Sequence, residues 1–263
     1  MKKITSLIVI ICAAFFISGC SAQPKTVNVN VIPDSAIVQT QTTATSTVAK
    51  KNNPTPVPAP STPIKQSAQI PAKFVLDIAF AQQAPFGNWD KIHEETCEEA
   101  SMIMVDKYFA GQQLNETIME AELQKIIKWE NDHGYKVDLT AQETVDVLKA
   151  YFGLAAHLSR NVTADQIKYE ISQGNPVIIP AAGRLLGNPN FTGAGPLYHM
   201  LVVKGYNSSQ FITNDPGTRN GNNYAYSYNV LINAIHDWNS VTAASQSEAD
   251  MVKGEKVIIV VDK

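Results

Sequence analysis

Residues 198–217, with the sequence YHMLVVKGYNSSQFITNDPG, decide the fold. Two apolar runs flank the polar turn Asn207-Ser208-Ser209, a pattern that predicts two antiparallel strands, over 199–205 and 211–213. Because the turn is short, the start of the first strand lies beside the end of the second, so we expect Asp215 next to His199. A carboxylate beside an imidazole fixes the tautomer of the ring and supports its positive charge.

Further strand patterns lie on both sides of this hairpin, and helix patterns come mostly before it. The predicted strands are 74–78, 177–182, 224–228 and 257–261. Periodicity and caps predict helices over 95–109, 114–131, from Thr140 to Gly153, from Thr163 to near Gly174, and over 230–238. Helices first and an antiparallel sheet later predict an α+β fold rather than an array of βαβ units.

The first twenty residues predict export and lipidation. Lys2 and Lys3 precede an apolar run over 4–17, which is too short for an ordinary membrane span and is typical of a signal peptide. The run ends in Ile17-Ser18-Gly19-Cys20, which resembles the lipobox of bacterial lipoproteins. We therefore expect residues 1–19 to be a signal peptide and Cys20 to be lipidated, which anchors the chain outside the cytoplasm on a bacterial membrane. The alternative is an ordinary signal peptide with an incidental cysteine.

The remaining chain divides into a tether and one domain. Residues 20–72 are rich in Thr, Ser, Pro, Ala and Gln, contain no aromatic residue and predict a disordered segment. Residues 73–263 have the composition of one globular domain and carry 15 Lys and Arg against 23 Asp and Glu, a formal charge of −8. This acidity argues against nonspecific nucleic-acid binding and against a domain lying on an anionic membrane. We expect a monomer.

Cys97 is the cysteine to explain. Cys12 leaves with the signal peptide and Cys20 takes the lipid, so Cys97 has no partner for an internal disulfide. It lies at or near the start of a predicted helix, where backbone N–H groups favour a thiolate, although Glu98 and Glu99 oppose this. Three interpretations stay open: a buried inert residue, an intermolecular cross-link, or a nucleophile.

His199 is the most informative histidine. It opens an apolar strand and follows residues 183–197, a long segment rich in Gly, Pro and Asn of the kind that often borders a site. Taken alone, a histidine at the end of a strand is more often structural. His93 and Cys97 stand four residues apart and suggest a metal pair, but two ligands do not make a metal site.

The order of several short blocks resembles the peptidase C39-like family over residues 74–262. The blocks are AQQAPFGNWD at 81–90, CEEAS at 97–101, GNPV at 174–177, YH at 198–199, GY at 205–206 and NDPG at 214–217. The resemblance implies a papain-like fold, with the N-terminal helices packed on the C-terminal sheet. The chain departs from it in having Glu98 where many members have glycine.

The resemblance also implies roles and a chemistry. Cys97 would be the nucleophile, His199 the base, Asp215 the residue that orients it, and Gln83, with Gln82 as the alternative, an oxyanion donor. The expected function is hydrolysis of peptide or amide bonds in a peptide, protein or cell-wall substrate through a thioester, without a cofactor or a metal. Two alternatives stay open on the same fold: a non-catalytic module that binds peptides or cell-wall fragments, and an acyl transferase.

Overall fold

The computed structural model describes residues 70–238 and 247–263. The predicted signal peptide, Cys20 and the predicted tether up to residue 69 lie outside the described residues. Within the described ranges, no helix is both long and apolar enough to cross a membrane.

Six α-helices lie in the described ranges, and the first four follow the predicted pattern. They are α1 (Cys97–Ala110), α2 (Glu116–His133), α3 (Ala141–Ala150), α4 (Ala164–Ser172), α5 (Tyr228–Ala234) and α6 (Glu248–Met251). The predicted capping box of α3 is confirmed: Glu143 N–H donates to Thr140 Oγ1, and Thr140 N–H donates to Glu143 Oε2 at 2.8 Å. Thr163 Oγ1 likewise accepts from Gln166 N–H at the start of α4. Local sequence therefore sets these two boundaries.

The strands of the described residues form one antiparallel sheet. They are β1 (Phe74–Val75), β2 (Ala155–Ser159), β3 (Val177–Ala182), β4 (Tyr198–Tyr206), β5 (Gln210–Asn214), β6 (Asn222–Ser227) and β7 (Ile258–Asp262). The order across the sheet is β2-β7-β3-β4-β5-β6, and β1 pairs with the end of β4. The α+β prediction, with helices packed on an antiparallel sheet, is confirmed.

Two strands differ from the prediction. β2 was absent from it because AAHLS holds no β-branched or aromatic residue, and the strand forms by pairing with β7 at the edge of the sheet. β1 ends at Val75 rather than at residue 78, although Leu76 N–H still donates to Lys204 O at 2.7 Å. In both cases a long-range partner, rather than local propensity, sets the element.

The central strand β4 is entirely buried and extends past the end of β5. In the register of β4 with β5, Val202 lies opposite Asn214, the last residue of β5, so residues 198–201 have no β5 partner. Side chains alternate along a strand. Tyr198 and Met200 face the helices, with the Tyr198 hydroxyl donating to Leu139 O at 3.0 Å, and His199 faces the opposite side. The start of β4 therefore places side chains on both faces of the sheet.

Candidate active site

His199 and Asp215 form a buried pair at the open start of β4. His199 Nε2 lies 2.7 Å from Asp215 Oδ1, and the two residues are 1% and 0% exposed. The acceptor is a carboxylate, so Nε2 carries the proton, and a neutral ring then has its lone pair on Nδ1. The pair leaves one histidine nitrogen able to accept a proton.

Asp215 is held by four donors. Oδ1 accepts from His199 and from Gly217 N–H at 3.1 Å, and Oδ2 accepts from the Tyr226 hydroxyl at 2.6 Å and from Asn188 Nδ2 at 3.1 Å. Burial acts to raise the pKa of Asp215, but the facing His199, with Tyr226 and Gly217, holds the pKa below its ordinary value. Asp215 is therefore an ionised carboxylate with a fixed orientation.

The ring of His199 is also fixed by close packing. Phe191 stands edge-on to it, with ring centroids 5.3 Å apart. A Cβ at Gly217 would lie 2.8 Å from His199 Cε1, and a Cβ at Gly183 would lie 3.2 Å from His199 Cβ. Any side chain at Gly217 would thus displace the imidazole.

Cys97 is the first residue of α1, and its sulfur touches the backbone of β4. Cys97 Sγ accepts from Met200 N–H at 3.3 Å, in the part of β4 that has no β5 partner. The residue is 6% exposed and is the free cysteine of the described residues. The sulfur therefore lies against the residue that follows His199. Within the described contacts, no hydrogen bond joins Cys97 Sγ to His199 directly.

The thiol of Cys97 donates to its neighbour in sequence, Glu98. Sγ lies 3.0 Å from Glu98 Oε2, and Glu98 Oε1 accepts from Leu139 N–H at 3.3 Å. Burial raises the pKa of the Cys97 thiol well above its ordinary value, Glu98 raises it further, and the Met200 N–H acts in the opposite direction. In this conformation Cys97 is a protonated thiol.

Gln83 joins the cysteine side of the site to the Asp215 side through its backbone. Gln83 N–H donates to Pro216 O at 3.0 Å, and Gln83 O accepts from Thr96 Oγ1 at 3.4 Å. The side-chain amide donates to the carbonyls of His93 at 2.9 Å and Glu94 at 3.1 Å. Both amide hydrogens are thus engaged, and Gln83 can donate to an oxyanion only by exchanging one of these bonds.

Two other residues singled out in the sequence make local contacts. The side-chain amide of Gln82 donates to Pro85 O at 3.4 Å. His93 lies in a 3₁₀ turn (His93–Glu95) before α1, and its ring sits between Asp90 Oδ1 and Glu120 Oε2, each at 2.9 Å. Within the ranges that the structure describes, no three His, Cys, Asp or Glu side chains are grouped to hold a metal ion.

The sequence did not single out Asn188, Phe191 and Tyr226, which surround the His199–Asp215 pair. The long Gly-, Pro- and Asn-rich segment before β4 was the available signal, since it contains two of the three. Tyr226 lies in β6 opposite Phe211 of β5, and only the folded structure reveals that its hydroxyl reaches Asp215.

The fold and these contacts define an α+β protein with a buried His–Asp pair at a strand start and a cysteine at the first position of a packed helix. The model of the Peptidase_C39 like family matches residues 75–246, about two thirds of the sequence, and the chain belongs to that family. Membership suggests a cysteine peptidase-like function.

A crystal structure described as a candidate C39-like peptidase from Bacillus anthracis is similar to this chain, with 16% sequence identity and a TM-score of 0.46. The similarity covers 73% of this chain and 98% of that one. No curated protein matches the chain significantly.

Proposed function

We propose that the protein is an exported cysteine peptidase or amidase, tethered to a bacterial membrane through lipidated Cys20. In this proposal Cys97 is the nucleophile, His199 the base and Asp215 the residue that orients it. The observation that carries the proposal is the buried His199–Asp215 pair, 2.7 Å apart, one residue from the backbone N–H that binds the Cys97 sulfur. A pair of this kind fixes the histidine tautomer that base catalysis requires.

The reaction would run in two halves. The Cys97 thiol leaves its contact with Glu98 and gives its proton to His199 Nδ1 while Sγ attacks the substrate carbonyl carbon. The tetrahedral oxyanion is stabilised by the backbone N–H of Cys97 and by Gln83, whose side-chain amide exchanges its bond to the carbonyl of His93 or Glu94 for one to the oxyanion. Protonated His199 then gives its proton to the departing amine, and a thioester remains. Water attacks the thioester, His199 takes the water proton, and the acid and the Cys97 thiol are regenerated.

A second function, binding without catalysis, is favoured by the state of the thiol. Cys97 is buried, its hydrogen is donated to Glu98, and its pKa is raised. A module of this kind would hold a peptide or a cell-wall fragment on the same surface and leave it intact.

Hydrolysis of a fluorescence-quenched peptide library and of fluorescein-labelled casein separates the two functions. We expect cleavage by the full chain, its loss in Cys97→Ala and in His199→Ala, and a large reduction in Asp215→Asn. His133→Ala is the matched control for His199→Ala, because it removes an exposed imidazole at the end of α2 that the proposal does not use. Peptides retained but not cleaved by the wild-type chain would support the binding module instead.

The tether is tested separately by labelling expressing bacteria with a fatty-acid analogue. We expect the label on the wild-type chain and none on Cys20→Ala. Equal labelling of the two chains would contradict lipidation at Cys20.

A further inference from the structure

Cys97 and Glu98 share one hydrogen in a buried contact that the proposed mechanism does not use. Glu98 is 1% exposed, and both of its oxygens are engaged: Oε2 with Cys97 Sγ at 3.0 Å and Oε1 with Leu139 N–H at 3.3 Å. The Leu139 N–H comes from the chain just before α3, so it fixes the carboxyl from outside its own helix. The position of Glu98 against the sulfur is therefore set by two elements.

The surroundings of this contact are acidic on every side. The titratable groups that face it are Glu99 from α1, Glu130 from α2, Asp138 from the segment before α3, and Tyr198 from β4, whose own neighbour is Asp237. His199 precedes Met200 on β4, and its ring is paired with Asp215. Among the described residues, no Lys, Arg or His forms an ion pair with Glu98, Glu99 or Glu130.

The contact has a direct chemical consequence. A thiolate at Cys97 would lie 3.0 Å from a carboxylate with no cation to offset the repulsion. The pKa of Glu98 is itself raised well above its ordinary value, chiefly by burial, so the charge that opposes the thiolate develops only once Glu98 has ionised. Beyond that point, the sulfur can lose its proton only when Sγ turns away from Glu98. Met200 N–H is the single donor to Sγ that opposes this effect.

We propose that Glu98 is a positioning residue of the nucleophile: it accepts the Cys97 hydrogen, holds the sulfur as a thiol and sets the pH at which the thiolate forms. This inference rests on the proposed function for its meaning in catalysis, although thiol titration tests it without a substrate. Glu98 acts through Cys97 and does not touch the reacting carbonyl. The resting protein would then be weakly nucleophilic, and substrate binding that moves Sγ away from Glu98 would activate it.

Alkylation of Cys97 by iodoacetamide against pH measures this role in the full chain. Mass spectrometry of the tryptic peptide 92–107 reports Cys97 separately from Cys12 and Cys20. In Glu98→Gln the side chain keeps its size, its carbonyl can still accept from Leu139 N–H, and its amide can donate to the thiolate. We expect the alkylation midpoint to fall by about 1–3 pH units, the size of shift that one adjacent charge causes.

The rate should change in the same direction. At a pH below both midpoints, a one-unit fall gives about ten times more thiolate. The lower basicity of that thiolate reduces its intrinsic reactivity, so the net gain is about three- to fourfold per unit.

Glu99→Gln is the matched control, because it removes the same charge one residue further along α1. Glu99 is the weakest of the groups that act on Cys97, so the shift should be less than half of that in Glu98→Gln. An unchanged or higher midpoint in Glu98→Gln, or an equal shift in Glu99→Gln, would overturn the proposal.

The wild-type chain gives a second test that does not depend on a variant folding. Its alkylation midpoint should lie above about 8.5, the value of an ordinary thiol. A midpoint at or below that value would contradict the inference. The proposed function stands or fails on the Cys97→Ala and His199→Ala hydrolysis assays, so the two failures are distinguishable.

Discussion

Asp215 accepts four hydrogen bonds while fully buried, and the Tyr226 hydroxyl makes the shortest of them, at 2.6 Å. The Tyr226 hydroxyl in turn accepts from Asn188 Nδ2 at 2.8 Å. The Tyr226 hydroxyl thus links Asn188, in the segment before β4, to the Asp215 carboxylate. A hydrogen bond to a charged group contributes about 1.5–3 kcal/mol. Removing the hydroxyl of Tyr226 should therefore lower the stability of the domain measurably.

We predict that Tyr226→Phe destabilises the domain by about 1.5–3 kcal/mol and raises the pKa of Asp215. The folded-state pKa of Asp215 lies below its ordinary value, so its contribution to stability is present above that value and is lost as the pH falls through the folded pKa. In the variant this loss should begin at a higher pH. Thermal unfolding between pH 2 and pH 7 measures both effects.

Tyr224→Phe is the control for that measurement. Tyr224 packs against Tyr226 with ring centroids 4.8 Å apart, and its hydroxyl makes no bond to Asp215 in the described contacts. Tyr224→Phe should leave the loss of stability at acidic pH as it is in the wild type. If stability falls with decreasing pH in the same way in both variants, the Tyr226 hydroxyl does not hold Asp215.

At the scale of elements, the turn after β5 matters as much as the residues it carries. Gly217 lies so close to His199 that an added Cβ would stand 2.8 Å from Cε1 of the ring. The turn therefore fixes the His199 imidazole by direct contact as well as through Asp215. A small shift of the backbone at Gly217 would move the imidazole with it.

We predict that Gly217→Ala lowers kcat/KM for the cleaved peptide by up to about 100-fold, the effect of a misplacement of about 1 Å. Gly174→Ala is the control: Gly174 has φ +94°, and a Cβ there meets nothing within 4 Å. It should destabilise the domain by about 1–2 kcal/mol through backbone strain and leave activity per folded molecule unchanged. Full activity in Gly217→Ala would show that the contact between Gly217 and the His199 ring is not needed for catalysis.

Elements that depend on neighbouring residues were predictable, and those that depend on a distant partner were not. Thr140 with Glu143 and Thr163 with Gln166 specify helix starts over four residues, and both starts lie where the sequence predicted them. The sequence of β2 has no strand signal of its own, because β7, about a hundred residues later, supplies its partner. A single sequence contains no direct information on such a pairing.

At the scale of the whole molecule, a cluster of three acidic residues governs how stability responds to pH. The cluster consists of Glu99 in α1, Glu130 in α2 and Asp138 in the segment before α3. Burial raises the pKa of Glu99 to about 7, that of Glu130 to about 10 and that of Asp138 to about 6. Glu130, which has the highest of these values, carries a proton at neutral pH. The folded state thus binds more protons than the unfolded chain between about pH 4.3 and the folded values.

We predict that stability falls as the pH rises from 5 to 8. A carboxyl with a raised folded pKa contributes stability that is complete below its unfolded pKa and is lost as the pH passes through the folded pKa. A loss of a few kcal/mol would lower Tm by about 2–4 °C per kcal/mol in a domain of this size. Calorimetry across this range measures the slope.

Glu99→Gln should flatten the same pH dependence, because it removes one of the titrating groups. A Tm that is constant or rises from pH 5 to pH 8 would contradict a protonated acidic cluster. If Tm depends on pH in Glu99→Gln as it does in the wild type, a group other than Glu99 causes the dependence.

The sequence predicted the His199–Asp215 pair but not the hydrogen-bond donors that surround the site. The hairpin argument puts Asp215 near His199 from the length of one turn, and the two side chains are in contact. Leu139 N–H donates to Glu98, Met200 N–H to the Cys97 sulfur, and the side chains of Asn188 and Tyr226 to Asp215. These four donors come from four different parts of the chain. Only the tertiary fold brings these together, since none lies within a short motif that includes its partner.

The unmatched start of β4 makes one backbone amide a reporter on the sulfur. Met200 N–H lies beyond the end of β5, and Cys97 Sγ is its acceptor. When the sulfur moves to a substrate or is alkylated, this N–H loses its hydrogen-bond acceptor, and β5 does not extend far enough to supply another. Hydrogen–deuterium exchange at that single amide would then reveal whether the thiol is at rest or engaged, in a protein whose natural substrate need not be known.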